Sequence, residues 1–306
     1  MQMGFGLPIS GSWATPASIA EIAKAAERHG YASLWTFQRL LFPATDPIPM
    51  PYRSVHDPLV LTAYAAAVTE TARLGVAIVN IPYYSPILLA KMLTSLDVVS
   101  GGRLDAGLGL GWNADEFAAV GAPMERRGAR AEEFLRCLRA IWSDEPVEFH
   151  GEFYDVPPSY VDPKPVQRPH PPLLLGGGAE PALRRVARLA DGWISASRFP
   201  AAQVPGAIET IRAAAVEAGR DPDAIRIVIR GAVKVRDTDS GDHAPLTGTI
   251  DKVRADIAAY ADAGATEFFV DLNFDEQIGD PDADPDDSMR RAHRALEAFA
   301  PGARGA

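Results

Sequence analysis

A single cysteine, Cys137, stands in a chain of 306 residues, so neither an internal disulfide nor a cysteine metal cluster can form. Beside Leu135 and Leu138 in a helical pattern, it reads as a core residue. The six histidines show no paired metal-ligand spacing, and no metal is expected. No stretch approaches the ~20 apolar residues that span a bilayer, and the first turn of sequence lacks a basic segment followed by an apolar signal region. A soluble, cytoplasmic protein without membrane attachment is therefore expected. Basic charge is also scarce: 30 Lys and Arg against 40 Asp and Glu give a net charge of −10. That disfavours nucleic acid, whose phosphates are held by clustered cations. An anionic small molecule would have to rely on local donors.

What the chain does have is a 47% hydrophobic share, enough to bury the core of one α/β domain over residues 1–306. Short apolar runs alternate with longer amphipathic ones from end to end, the signature of a parallel sheet wrapped by helices. About eight such units predict a TIM-type (β/α)8 barrel with loop insertions. Strands are expected at 4–9, 33–37, 74–80, 103–109, 173–176, 192–195, 225–231 and 267–272. Helices are expected at 16–29, 57–69, 86–100, 127–143, 181–189, 204–218, 250–263 and 288–300. Thr15-Pro16 and Ser85-Pro86 supply a cap and a first-turn proline, while Ser100-Gly101-Gly102 and Gly219 supply stops. Inserts rich in Pro, Gly or Asp interrupt the pattern at 40–56, 147–172 and 234–249. In a barrel the first and last follow strands and sit on the C-terminal face, where active sites are built. Residues 148–154, centred on Gly151, suit a small hairpin.

Three segments carry candidate chemistry. The tract from Arg103 to Trp112 sets Gly107, Gly109 and Gly111 between Leu108 and Leu110, then runs into Asn113, Asp115 and Glu116. Its glycines admit either a flat ligand or a neighbouring backbone; a Rossmann fingerprint would need glycine at Trp112. Next, Leu173-Leu174-Leu175 runs into Gly176, Gly177, Gly178 and Ala179 and then a helix with proline in its first turn. Free backbone N–H groups and the helix dipole favour a phosphate there, although Glu180 would repel one if turned inward, and a flexible turn is the alternative. The following strand ends in Ser195, Ala196 and Ser197, so two strand ends can share one phosphate. At the end of the third strand, Ile78-Val79-Asn80-Ile81-Pro82-Tyr83-Tyr84-Ser85-Pro86 suits either a bulge or a plain strand end followed by a helix start.

These tracts join others in a fixed order: Ser100-Gly101-Gly102-Arg103-Leu104, Glu116-Phe117, Arg126-Arg127-Gly128, Pro163-Lys164-Pro165, Pro171-Pro172 and Asp191-Gly192-Trp193. The ordered set covers nearly the whole chain and resembles the bacterial luciferase-like flavin and deazaflavin oxidoreductases, most of all the branch dependent on coenzyme F420. The resemblance implies a luciferase-like TIM barrel, a homodimer, and a redox cofactor in the C-terminal mouth with its phosphate near the fifth and sixth strands. It places the phosphate turn on Gly176, Gly177, Gly178 and Ala179, with tail contacts around Ser195, Ala196 and Ser197. The cofactor ring would lie against the third strand, where a bulge with a non-proline cis peptide is expected in Ile78, Val79 and Asn80. Trp112 and Asp115 match positions on the ring or substrate side, and Glu116 a frequent acidic residue with either a catalytic or a structural role.

The chain departs from that pattern at the second strand, where many relatives have an Asp-His pair and Gln38-Arg39 stands instead. Gln38 can hydrogen-bond the cofactor ring and Arg39 can pair with a substrate anion, but arginine is no ordinary proton donor at neutral pH. His56 and Tyr83 are the substitutes to consider, and Arg198 is a further anion ligand to consider. The expected activity is hydride transfer between coenzyme F420 and an unidentified small-molecule substrate. A reduced-FMN-dependent monooxygenase and a cofactor-binding protein without turnover are the alternatives. For the dimer, the run from Leu88 to Leu96 offers an apolar helical face that burial within one chain explains equally well.

Overall fold

Strands that are apolar on both faces need cover on both sides, and these find it in a closed barrel. The computed structural model describes residues 1–44, 50–238 and 244–302. Its barrel strands are β1 (Gln2–Gly6), β2 (Ser33–Thr36), β3 (Arg73–Val76), β4 (Leu104–Gly109), β5 (Leu173–Gly176), β6 (Gly192–Ile194), β7 (Arg226–Ala232) and β8 (Glu267–Asp271). All neighbours are parallel. The ring closes where β8 pairs with β1, Phe5 beside Val270, and where β3 pairs with β4, Leu74 beside Leu104. This is the eight-stranded TIM architecture of the luciferase-like fold.

The helices are α1 (Pro16–Arg28), α2 (Pro58–Val68), α3 (Pro86–Val99), α4 (Ala114–Ala119), α5 (Arg127–Ser143), α6 (Glu180–Leu189), α7 (Val204–Glu217), α8 (Ile250–Asp262) and α9 (Pro285–Ala298). The expected caps act: Thr15 Oγ1 accepts from the Ser18 N–H and Ser85 Oγ from the Leu88 N–H. Two helices differ from expectation. The short α4 is too brief for a periodic signal but is capped by Asn113, whose side chain accepts from the N–H groups of Asp115 and Glu116. Helix α9 begins at Pro285 rather than Ser288, because Asp284 caps it and Pro285 suits its first turn.

Leu34, Leu74, Leu104 and Phe268 are fully buried in the main core between barrel and helices. Side chains alternate along each strand, and a separate cluster of Trp35, Leu174, Ile194, Val228 and Phe269 fills the barrel. Trp35 stacks on Phe269 with ring centres 5.0 Å apart. The N-terminal end is sealed by charge. Asp105 pairs with Arg73 at 2.6 Å and Arg226 at 2.8 Å, and Arg226 reaches Glu267 at 2.7 Å. Glu267 also accepts from Ser33 Oγ at 2.5 Å and Trp35 Nε1 at 3.0 Å.

The inserts are loops with local order. Val147–His150 and Asp155–Ser159 form the antiparallel hairpin around Gly151. Of the insert at 40–56, residues 45–49 lie outside the described residues, as do 239–243 of the insert at 234–249. Leu89, Leu93 and Leu96 of α3 are buried within the chain, while Leu88 is exposed. No helix among the described residues is long and apolar enough to cross a membrane.

Candidate active site

The C-terminal ends of the strands open on a cavity of about 460 Å³. Its floor is made by a break in β3, expected to run unbroken to Asn80. Added Cβ atoms at Gly107 and Gly109 would collide with the Val76 carbonyl oxygen and the Ile78 side chain. Those glycines of β4 therefore let the neighbouring chain bulge inward, which decides for the close-backbone reading of the tract. The peptide between Ala77 and Ile78 is cis, and pairing resumes with Val79 beside Leu108 and Asn80 beside Gly109. Ile78 and Asn80 line the cavity. Val79 does not, because alternation turns it into the core under the helices.

Gln38 lines the cavity, but both ends of its amide are engaged: Nε2 donates to Tyr84 Oη at 2.8 Å and Oε1 accepts from the Asn80 N–H at 2.8 Å. It ties β2 to the bulge. The Asn80 side-chain amide has no such partner among the described residues. Arg39 lies over the rings of Tyr52 and Trp112 and pairs with Glu116 at 3.0 Å. Glu116 is buried under this wall, accepting also from the Leu40 N–H at 2.6 Å and Tyr83 Oη at 2.9 Å. Burial, then the bond to Glu116, raise the Tyr83 pKa, so Tyr83 serves as a donor within the wall. Asp115 is not brought to the cavity: it sits exposed in the first turn of α4, where the Asn113 cap orients it. His56 is held away from it by the Ala14 carbonyl at 3.0 Å.

At the other end, Gly176, Gly177, Gly178 and Ala179 line the cavity with Ser195, Ala196 and Ser197. Gly177 adopts φ +123°, and a Cβ there would stand 2.7 Å from that of Ala182. No side chain caps α6 at Ala179; Pro181 has no N–H and the Ala182 N–H donates to the Ala179 carbonyl at 2.8 Å, so the N–H groups without an acceptor among the described residues are those of Gly178, Ala179 and Glu180, and the Glu180 side chain is exposed and outside the lining. Two arginines converge there that sequence reasoning missed. Arg127 donates to the Gly111 carbonyl at 3.3 Å, and Arg185 stands 3.3 Å from Glu132, a carboxylate it shares with Arg188. Arg127 belongs to the Arg126-Arg127-Gly128 tract but was given no role there, and Arg185 carried no signal, since both sit on helical patterns remote in sequence from the glycines. Arg230, also missed, is buried between Phe37 and Phe274, pairs with Asp271 at 2.7 Å and donates to the Ala77 carbonyl at 3.0 Å. Its signal was legible: a charge inside the apolar run of β7.

A second cavity, about 290 Å³, meets the first at Ser197 and is lined by Arg198, Lys234 and Tyr260. Lys234 pairs with Glu276 at 2.6 Å, whereas Arg198 is exposed and without a partner among the described residues.

An eight-stranded parallel barrel with a partly polar cavity at its C-terminal mouth defines the class, and comparison gives the family. The model of the luciferase-like monooxygenase family matches residues 3–241, and the chain belongs to that family. An uncharacterised protein of Mycobacterium tuberculosis is 34% identical over 278 residues, covering 86% of this chain and 96% of its own. The FMNH(2)-dependent dimethylsulfone monooxygenase of Pseudomonas putida is 33% identical over 217 residues, 70% of this chain and 56% of that one. Among solved structures, an F420-dependent secondary alcohol dehydrogenase in complex with an F420-acetone adduct matches with a TM-score of 0.77. The match covers 97% of this chain and 98% of the other at 17% identity, a likeness of fold.

Proposed function

We propose that this chain is an oxidoreductase that binds coenzyme F420 in the mouth of its barrel and acts on a small organic substrate. The observation that carries this reading is the convergence of the Gly176–Ala179 turn, the uncapped start of α6, Arg127 and Arg185 at one end of an otherwise apolar-floored cavity. Guanidinium groups and free backbone N–H groups are the donors a phosphate needs. Gly177 leaves room that any Cβ would fill. Ile78, Leu110 and Ile194 give the other end an apolar surface for a flat ring, with the Asn80 amide beside it.

Coenzyme F420 supplies hydride transfer at C5 of its deazaflavin ring when bound. The chain's part is to bind, orient and exclude water: Arg127 and Arg185 hold the phosphate, Ile78 backs the ring, and Trp112 covers the entrance. Arg39 and Arg230 are permanently charged donors that do not release a proton at neutral pH. F420 is favoured over FMN by the second cavity, whose exposed Arg198, without a partner among the described residues, suits the anionic tail that FMN lacks. The Pseudomonas putida relative favours a second reading, a reduced-FMN-dependent monooxygenase using the same mouth.

Titration of the purified protein with coenzyme F420 and, separately, FMN at one salt concentration tests the two readings. Tight binding of F420 alone is expected; preference for FMN moves the assignment to the monooxygenase, and binding of neither removes the cofactor. A homodimer is also proposed, through exposed apolar residues on the adjacent α2 and α3: Val60, Tyr64, Leu88 and Val99. Sedimentation at micromolar concentration is expected to show the dimer; monomer alone contradicts it.

A further inference from the structure

The cavity is graded in charge. At the glycine turn Arg127 has no acidic partner among the described residues, so that end carries a net positive charge. At the ring end both cations are balanced. Arg230 pairs with Asp271, and Arg39 pairs with Glu116 at 3.0 Å with side chains only 7% and 1% exposed. Glu116 pairs with Arg39 and accepts from the Leu40 N–H and Tyr83 Oη, the pattern of a carboxylate. Yet the Arg39 guanidinium is not saturated. Its Nε is enclosed without a hydrogen-bond partner, and Nη2 makes no hydrogen bond among the described residues while the side chain lines the cavity.

We infer that Arg39 binds a neutral oxygen acceptor of the substrate, of the ketone, amide or sulfone class, and that its pairing with Glu116 turns carboxylates away. A carboxylate at Nη2 would share one guanidinium with Glu116 inside a wall of low dielectric, where the second anion meets repulsion with no charge to offset it. A neutral oxygen takes the same hydrogen bond without that repulsion. Trp112, 62% exposed, and Tyr52 present aromatic faces for the body of such a molecule. This inference rests on the function proposed above and names the substrate class of that same site. It also gives a physical meaning to the arginine that stands where many relatives have histidine.

Ligand-observed NMR on the full chain, with and without bound cofactor, tests it with cyclohexanone and cyclohexanecarboxylate as probes. The ketone is expected to bind about tenfold more tightly than the carboxylate, the effect of the repulsion between Glu116 and a second anion. Arg39→Met weakens ketone binding by about tenfold, the loss of one hydrogen bond to a charged group, does not improve carboxylate binding because Glu116 keeps its charge, and changes the cofactor dissociation constant by less than about twofold. Glu116→Gln reverses the preference, because the Arg39 charge then stands unbalanced. Absence of ketone binding or a carboxylate preference in the unaltered protein overturns the inference. So does ketone affinity unchanged in Arg39→Met, or loss of cofactor binding in that variant, which would assign Arg39 to the cofactor. Because the probes are also titrated without cofactor, failure to bind F420 and FMN counts against the proposed function and leaves the probe result to be read separately.

Discussion

The two ends of the barrel are built from the same kinds of residue to opposite effect. At the N-terminal end, Asp105 and Glu267 are enclosed by Arg73, Arg226, Ser33 and Trp35, and every carboxylate oxygen has a donor. At the C-terminal end, among the described residues, Arg39 Nη2 makes no hydrogen bond, Arg127 has only a carbonyl, and α6 starts without a side-chain cap. A saturated network has nothing left to offer a ligand, whereas open donors destabilise the free protein and are answered when a ligand arrives. The base is thus read as architecture and the mouth as the place of binding, in line with the division of labour in TIM barrels.

Substitutions at one end should leave the other's property alone. The largest effect is expected for Asp105→Ala, which removes the buried carboxylate that two guanidinium groups share and leaves Arg73 without an acidic partner among the described residues. A loss of about 3–5 kcal/mol is expected in chemical denaturation, with cofactor affinity of the folded fraction unchanged. A matching loss of affinity would show that the ends are coupled. Arg127→Ala at the mouth should weaken cofactor binding by about tenfold or more and leave stability within about 0.5 kcal/mol. A drop in stability without a drop in affinity would return Arg127 to the architecture.

The smallest effect belongs to Glu27, at the end of α1, whose carboxylate accepts from the N–H groups of Glu70, Thr71 and Ala72 and from Thr71 Oγ1. Burial pushes its pKa up, but these hydrogen bonds outweigh it and hold it down at about 2 from 4.5. A lowered carboxylate pKa stabilises the fold above the unfolded value and loses that stability as pH falls through the folded one. The stability gap between the unaltered protein and Glu27→Gln should therefore be constant above pH 4.5 and shrink toward pH 2. A gap independent of pH over that window contradicts the hydrogen-bonded carboxylate.

Periodicity and caps made most of the fold legible: β5 and α5 fall where the sequence places them, residue for residue. The break in β3 was not, because its cause lies in the neighbouring strand: Gly107 and Gly109 vacate space that only the paired sheet reveals. The same break explains Val79, counted as a ring contact and found in the outer core, since a bulge shifts which face each residue meets. Asp115 was misplaced because Asn113 starts a helix too short to show a period. The glycine turn and Ser195–Ser197 were readable as a local pattern and do come together in one cavity. Arg127 and Arg185 reach the turn from two different helices, an arrangement fixed only by the closure of the barrel.

The most direct measurement of whether the mouth is the binding end is the cofactor dissociation constant of Gly177→Asp, taken beside its melting temperature. An acidic side chain there meets Ala182 and faces the arginines, so binding by the folded variant should fall by at least about a hundredfold, and backbone strain at φ +123° also lowers the melting temperature. Unchanged affinity in a folded variant would contradict the assignment of the phosphate to Gly176–Ala179 and with it the reading of the mouth.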